Sequence, residues 1–127
     1  MDETILLLSS DRGIRNVIKK ALASAGYSVL TAVDVGAAEN LLKQYKFDLL
    51  MVRPYTENVS GHDAAIYLRL TSPGLPVLIV AGMLDDADLE TREAVLEFEI
   101  FPKPFTTTEL VSRVKEVLLL HPNLSNA

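Results

Sequence analysis

Ile5-Leu6-Leu7-Leu8-Ser9-Ser10-Asp11-Arg12-Gly13-Ile14-Arg15 holds the pattern that governs the whole chain. Four consecutive aliphatic residues leave no polar face, as expected of a strand covered on both sides within a parallel sheet. The run breaks at two serines, and Asp11 then stands where a helix N-cap belongs. Ile14, Val17, Ile18, Ala21 and Leu22 follow at helical spacing, so they are expected to share one buried face, and Gly26 stops the helix. The stretch therefore reads as one βα unit.

The same grammar recurs to the end of the sequence. Further strand-like runs occur at 29–31, 49–52, 77–80 and 99–101. Those at 49–52 and 77–80 are as uniformly apolar as the first, whereas 29–31 and 99–101 are shorter and more mixed and suit the sheet edges. Asp34 can cap a helix with Ala38, Leu41, Leu42 and Tyr45 facing inward. A third helix is expected over 63–70, ended by Ser72-Pro73-Gly74. Asp85 or Asp86 opens a fourth containing Leu89, Val95 and Leu96. Thr106-Thr107-Thr108-Glu109 matches a capping box before Leu110, Val114, Val117 and Leu118. Five strands alternating with five helices imply an α/β fold, a doubly wound parallel sheet with helices on both faces. One domain is expected over 1–120, with 121–127 a frayed tail or the start of a linker.

Composition narrows the function classes. A length of 127 residues fits one domain, and 49% apolar content gives it a sizeable core. The formal charge of −5 with scattered basic residues argues against a nucleic-acid surface. Without cysteine there are no disulfides or thiolate metal sites. No apolar run approaches the roughly 20 residues of a membrane span, and the acidic start Met1-Asp2-Glu3-Thr4 does not read as a signal peptide. The expected location is the cytoplasm, away from any membrane.

In a doubly wound sheet, sites form beyond the carboxyl ends of the strands. Four clusters fall there: Ser9-Ser10-Asp11, Arg53-Pro54-Tyr55, Ala81-Gly82-Met83 and Pro102-Lys103-Pro104. Together with other landmarks they carry a resemblance. Ile14-Arg15 opens the first helix, Gly26-Tyr27-Ser28-Val29 leads into the second strand, and Phe47-Asp48-Leu49-Leu50 starts the third. Gly61 follows the third-strand loop, Pro76-Val77 starts the fourth strand, and Lys103-Pro104-Phe105 closes the fifth. Over about residues 4 to 119 the chain resembles the receiver domain of response regulators, the CheY-like superfamily, which implies a flavodoxin-like sheet with strand order 2-1-3-4-5.

The resemblance also implies a phosphorylation switch. A carboxylate after the third strand would take up the phosphoryl group, and two acids after the first would hold Mg²⁺. A Ser or Thr after the fourth strand and a Lys after the fifth would contact phosphoryl oxygens. This sequence departs from that pattern almost everywhere. Arg53 stands at the phosphoacceptor position, and a guanidinium, carrying only donors, cannot form an acyl phosphate. Ser9 and Ser10 replace the metal-binding acids, with Asp11 the remaining nearby carboxylate. Ala81 replaces the hydroxyl, Ile100 sits at the switch-aromatic position, and Lys103 is retained. The expectation is a degenerate, or pseudo-receiver, module of two-component phosphorelay signalling: a non-enzyme with neither metal nor cofactor, acting through phosphorylation-independent contact.

Arg53 is expected to pair with Asp11 or Asp85, or to act as a constitutive lock in which the cation replaces the metal. The alternative function is an anion or small-ligand sensor, for phosphate, a nucleotide or a flavin, using Ser9, Ser10 and Gly13 at a helix N-terminus with Arg53 and Lys103 nearby. Expected partners are a kinase, an output domain, a regulator or a second copy, meeting the face of the fourth helix, fifth strand and fifth helix. That face carries Leu89, Glu90, Arg92, Glu93, Phe101, Arg113 and Lys115. His62 and His121 lack partners at metal-ligand spacing, and Asn58-Val59-Ser60 reads as a chance glycosylation sequon. The end at Ala127 suits both a stand-alone protein and an excised domain.

Overall fold

Strand β1, Thr4–Leu8, lies at the centre of the sheet with β2, Ser28–Ala32, on one side and β3, Leu49–Val52, on the other. The computed structural model describes residues 3–53, 55–56, 59–80, 99–101 and 107–123. Beyond β3 the parallel sheet continues with β6, Val77–Val80, and ends at β7, Glu99–Phe101. The order β2-β1-β3-β6-β7 is the one the receiver resemblance implied, with the two mixed runs at the edges. A separate antiparallel pair, β4 (Tyr55–Thr56) and β5 (Val59–Ser60), follows β3. Strands of two residues carry no readable period, so neither is legible in the sequence.

Four helices are described: α1 (Arg12–Ser24), α2 (Val35–Gln44), α3 (Gly61–Arg69) and α4 (Thr107–Leu120). The helix expected after Asp85 or Asp86, and Thr106 of the capping box, lie outside the described residues. So does most of the expected contact face: Leu89, Glu90, Arg92 and Glu93. Helix α4 is therefore the fifth helical pattern of the sequence.

Period-two alternation divides the core. Leu6, Leu8, Leu50, Val52 and Ile79 point to one side and pack with Ala38, Ala65 and Leu68 of α2 and α3. Ile5, Leu7, Leu49, Met51 and Leu78 point to the other and pack with Ile18, Leu22, Val114 and Val117 of α1 and α4. Each such side chain contributes about 1.5–3 kcal/mol when fully withdrawn from water. Residues at consecutive strand positions are buried, which explains why β1, β3 and β6 lack polar alternation.

The local start and stop signals act as read. Asp11 accepts from Ile14 N–H at 2.9 Å and Asp34 from Ala37 N–H at 2.8 Å. Gly26 ends α1 with φ +101°, a conformation that side chains disfavour. Three expectations change. Val17 is 44% exposed, because the α1 stripe that meets the sheet is Ile14, Ile18 and Leu22, with Val17 on its flank. Tyr45 is 52% exposed, since it lies past the end of α2 on extended backbone, and its ring stands edge-on to the buried Phe47. Helix α3 starts two residues before 63, because Ser60 Oγ accepts from Asp63 N–H at 3.0 Å and serves as its N-cap.

The first tail residues are docked. Asn123 is buried, and its Nδ2 donates to the Phe47 carbonyl at 2.6 Å.

Candidate functional site

The carboxyl ends of β1, β3 and β6 bring Ser9, Arg53 and Val80 to one end of the sheet. Ser9 is fully buried. Its N–H donates to Ala32 O at 3.0 Å, extending the β1–β2 ladder past the last strand residue. Its Oγ accepts from Asp11 N–H at 3.2 Å and donates to Asp11 O at 3.3 Å. Arg15 Nη1 closes the same turn on Ser9 O at 2.9 Å. Ser10 is exposed beside it.

Arg53 is a buried cation at this end, only 9% exposed. In the β3–β6 ladder Val52 lies opposite Ile79, so Arg53 and Val80 occupy the next rung. The guanidinium Nη1 crosses that rung and donates to the Val80 carbonyl at 2.5 Å. A buried guanidinium needs acceptors for its donors, and a backbone carbonyl at a strand terminus supplies one. The expected pairing of Arg53 with Asp11 is not what forms: Asp11 Oδ1 is spent on capping α1. Asp85, the other expected partner, lies outside the described residues, as do Ala81 and Lys103. Ile100 contributes backbone to β7 opposite Ile79, and its side chain also lies outside them.

The donor set does not fit a divalent cation. Mg²⁺ takes anionic oxygens. The Ser9 hydroxyl is locked into its own turn, Arg53 offers donors alone, and the Asp11 carboxylate faces the helix N-terminus. Among the described residues no group of three His, Asp or Glu side chains is placed to hold a metal ion. Sequence reasoning found Arg53 but not its acceptor, because a main-chain carbonyl has no residue-type signature. The Arg15 contact to Ser9 O was missed for the same reason.

The fold and this strand-end cluster define a class, and comparison with known proteins agrees. The family model for the response regulator receiver domain matches residues 5–115. The chain belongs to the response regulator receiver domain family. It is similar to the response regulator MprA of Mycobacterium bovis, 28% identical over 121 residues that cover 93% of this chain and 51% of MprA. It is also similar to the sensor kinase CckA of Brucella abortus, 28% identical over 117 residues covering 91% of this chain and 12% of that protein. Among solved structures, a CheY-like receiver domain protein of Methanospirillum hungatei superposes with a TM-score of 0.83 at 22% identity. That match covers 95% of this chain and 97% of the other, and it bears on the fold alone. The chain spans about half the length of MprA, the curated relative first matched. Among the described residues no helix is long and apolar enough to cross a membrane.

Proposed function

We propose that this receiver domain has given up phosphoryl uptake and signals through phosphorylation-independent protein–protein contact, as a pseudo-receiver in two-component signalling. The observation that carries this reading is the buried Arg53 guanidinium, held on the Val80 carbonyl at the end of β3 where the family places its acceptor carboxylate. A guanidinium keeps its proton and has no lone pair for phosphorus, so the position has changed from nucleophile to fixed cation. The serine hydroxyls after β1 leave the family's metal without its acids. In this reading the domain is not an enzyme, works in the cytoplasm, and meets a kinase, an output domain, a regulator or another copy of itself.

Anion or small-ligand sensing in the same pocket gains no support. The Asp11 carboxylate takes the α1 N-terminus, where an incoming anion would need to bind.

The test is incubation with acetyl phosphate and Mg²⁺ followed by intact-mass measurement. The native chain gains no phosphoryl mass, nor does Arg53→Asp alone. Arg53→Asp combined with Ser9→Asp, Ser10→Asp and Ala81→Thr gains some. A stoichiometric adduct on the native chain overturns the proposal.

A further inference from the structure

The amino ends of the strands, opposite Arg53, border a cavity of about 430 Å³ between the end of α3, the start of β6 and the end of α4. That volume lies within the usual range of small-molecule sites. Leu75, Val77 and Val117, each at most 4% exposed, form its floor. Leu120 borders it while 65% exposed, leaving a large apolar side chain in water beside an apolar chamber. Two side chains with nitrogen donors line the same cavity, Arg69 and His121, and no acid lines it among the described residues, although the chain's formal charge is −5. Arg69 Nη2 donates to Pro73 O at 3.2 Å, which anchors the guanidinium there. A cation in the last turn of α3 suits the helix dipole, but capping does not explain an apolar chamber beside it. The docked tail supplies the remaining wall through His121 and Pro122, and Asn123 pins that tail to Phe47 O.

We infer that this cavity binds a small monocarboxylate with a medium-length apolar tail. The tail lies on Leu75, Val77 and Val117, and the carboxylate meets the Arg69 guanidinium, whose planar fork of donors matches two carboxylate oxygens, with the His121 imidazole beside it. Charge selects the headgroup: with two nitrogen bases and no acid on the wall, an ammonium in the same place is repelled. Because His121 and Pro122 belong to the tail, a seated ligand also ties the tail to α3 and β6. The site is separate from the strand-end cluster around Arg53, and the inference stands or falls independently of phosphoryl uptake.

The test titrates the native chain with octanoate and, separately, with octanol and octylammonium, following amide spectra. Octanoate is expected to give saturable shifts converging on Leu75, Val77, Val117 and His121, with octanol and octylammonium each roughly tenfold weaker or more. Arg69→Gln weakens octanoate roughly tenfold and leaves octanol unchanged, which separates loss of the charge from collapse of the cavity. Leu120→Asp, at an exposed position that folding tolerates, sets a carboxylate beside the cavity, so octanoate weakens and octylammonium gains. Val33→Ser, at an exposed position after β2 at the other end of the sheet, changes nothing. No saturable binding, octanol or octylammonium binding as well as octanoate, or shifts confined to other surfaces overturns the inference. So does octanoate binding that neither Arg69→Gln nor Leu120→Asp alters, or a cavity closed by self-association, seen as shifts that follow protein concentration without ligand.

Discussion

Arg53 closes the carboxyl end of the sheet by placing Nη1 on the Val80 carbonyl from a buried position. Arg53→Ala leaves that carbonyl without this donor, and the expected loss is about 1–3 kcal/mol, read as a lowered urea midpoint with unchanged slope. Arg53→Lys, which keeps one donor, loses less. Arg53→Asp sets an acceptor against an acceptor and loses more than the alanine variant. An order of stability in which aspartate equals or exceeds arginine contradicts the contact. Arg53 stood out in the sequence because it breaks the residue-type expectation of its position. Its acceptor did not, because strand register has to be known before Val80 can be placed on the next rung.

Helices α1 and α2 owe their starts to single carboxylates, Asp11 and Asp34. Replacing either by alanine is expected to cost about 0.5–2 kcal/mol, and by asparagine much less, in thermal or denaturant unfolding. At the other end of α1, a Cβ on Gly26 would meet nothing within 4 Å, so crowding plays no part in the cost of Gly26→Ala. The penalty of about 1–2 kcal/mol then comes from the left-handed backbone alone. Between α2 and α3, the Tyr67 hydroxyl donates to Glu39 Oε1 at 3.0 Å, and that hydrogen bond, aided by the carboxylate charge and slight burial, raises the phenol pKa above 10.0. A raised pKa means that the contact favours folding below the unfolded value and that its contribution fades as pH climbs through the folded one. Glu39→Gln is expected to lower the Tyr67 titration midpoint in an NMR titration, and an unchanged midpoint would exclude the contact. Caps and stop signals were readable because Asp and Gly act through their own side-chain chemistry. Ser60 went unread as the α3 cap because its neighbours form β5, and the sequence offered Asp63 as an equally good start.

Across the whole molecule, the two-sided core followed from uniformly apolar runs, which only a doubly covered sheet accommodates, whereas strand order followed from the receiver resemblance. What could not be read ahead was contact between segments distant along the chain. Asn123 looked like part of a polar tail, yet it reaches back to Phe47 O across 76 positions of sequence. Removal of residues 121–127, or Asn123→Ala, is expected to lower stability by about 1 kcal/mol, and full retention of the unfolding midpoint would show that the docking contributes nothing. The misassigned Val17 teaches a related lesson: apolar spacing marks a helix face, but only packing shows whether that face meets the sheet or borders an open groove. A domain that has given up phosphoryl uptake keeps one state whether or not a phosphoryl group is offered. Amide spectra of the native chain, recorded before and after addition of Mg²⁺ with beryllofluoride or acetyl phosphate, examine that property at every residue at once. Unmoved resonances for Ser9, Asp11, Arg53 and Val80 are the expected result. Saturable shifts converging on those four residues would mean that the strand-end site still binds a phosphoryl group, and the reading of Arg53 as a fixed cation in place of the acceptor would be wrong.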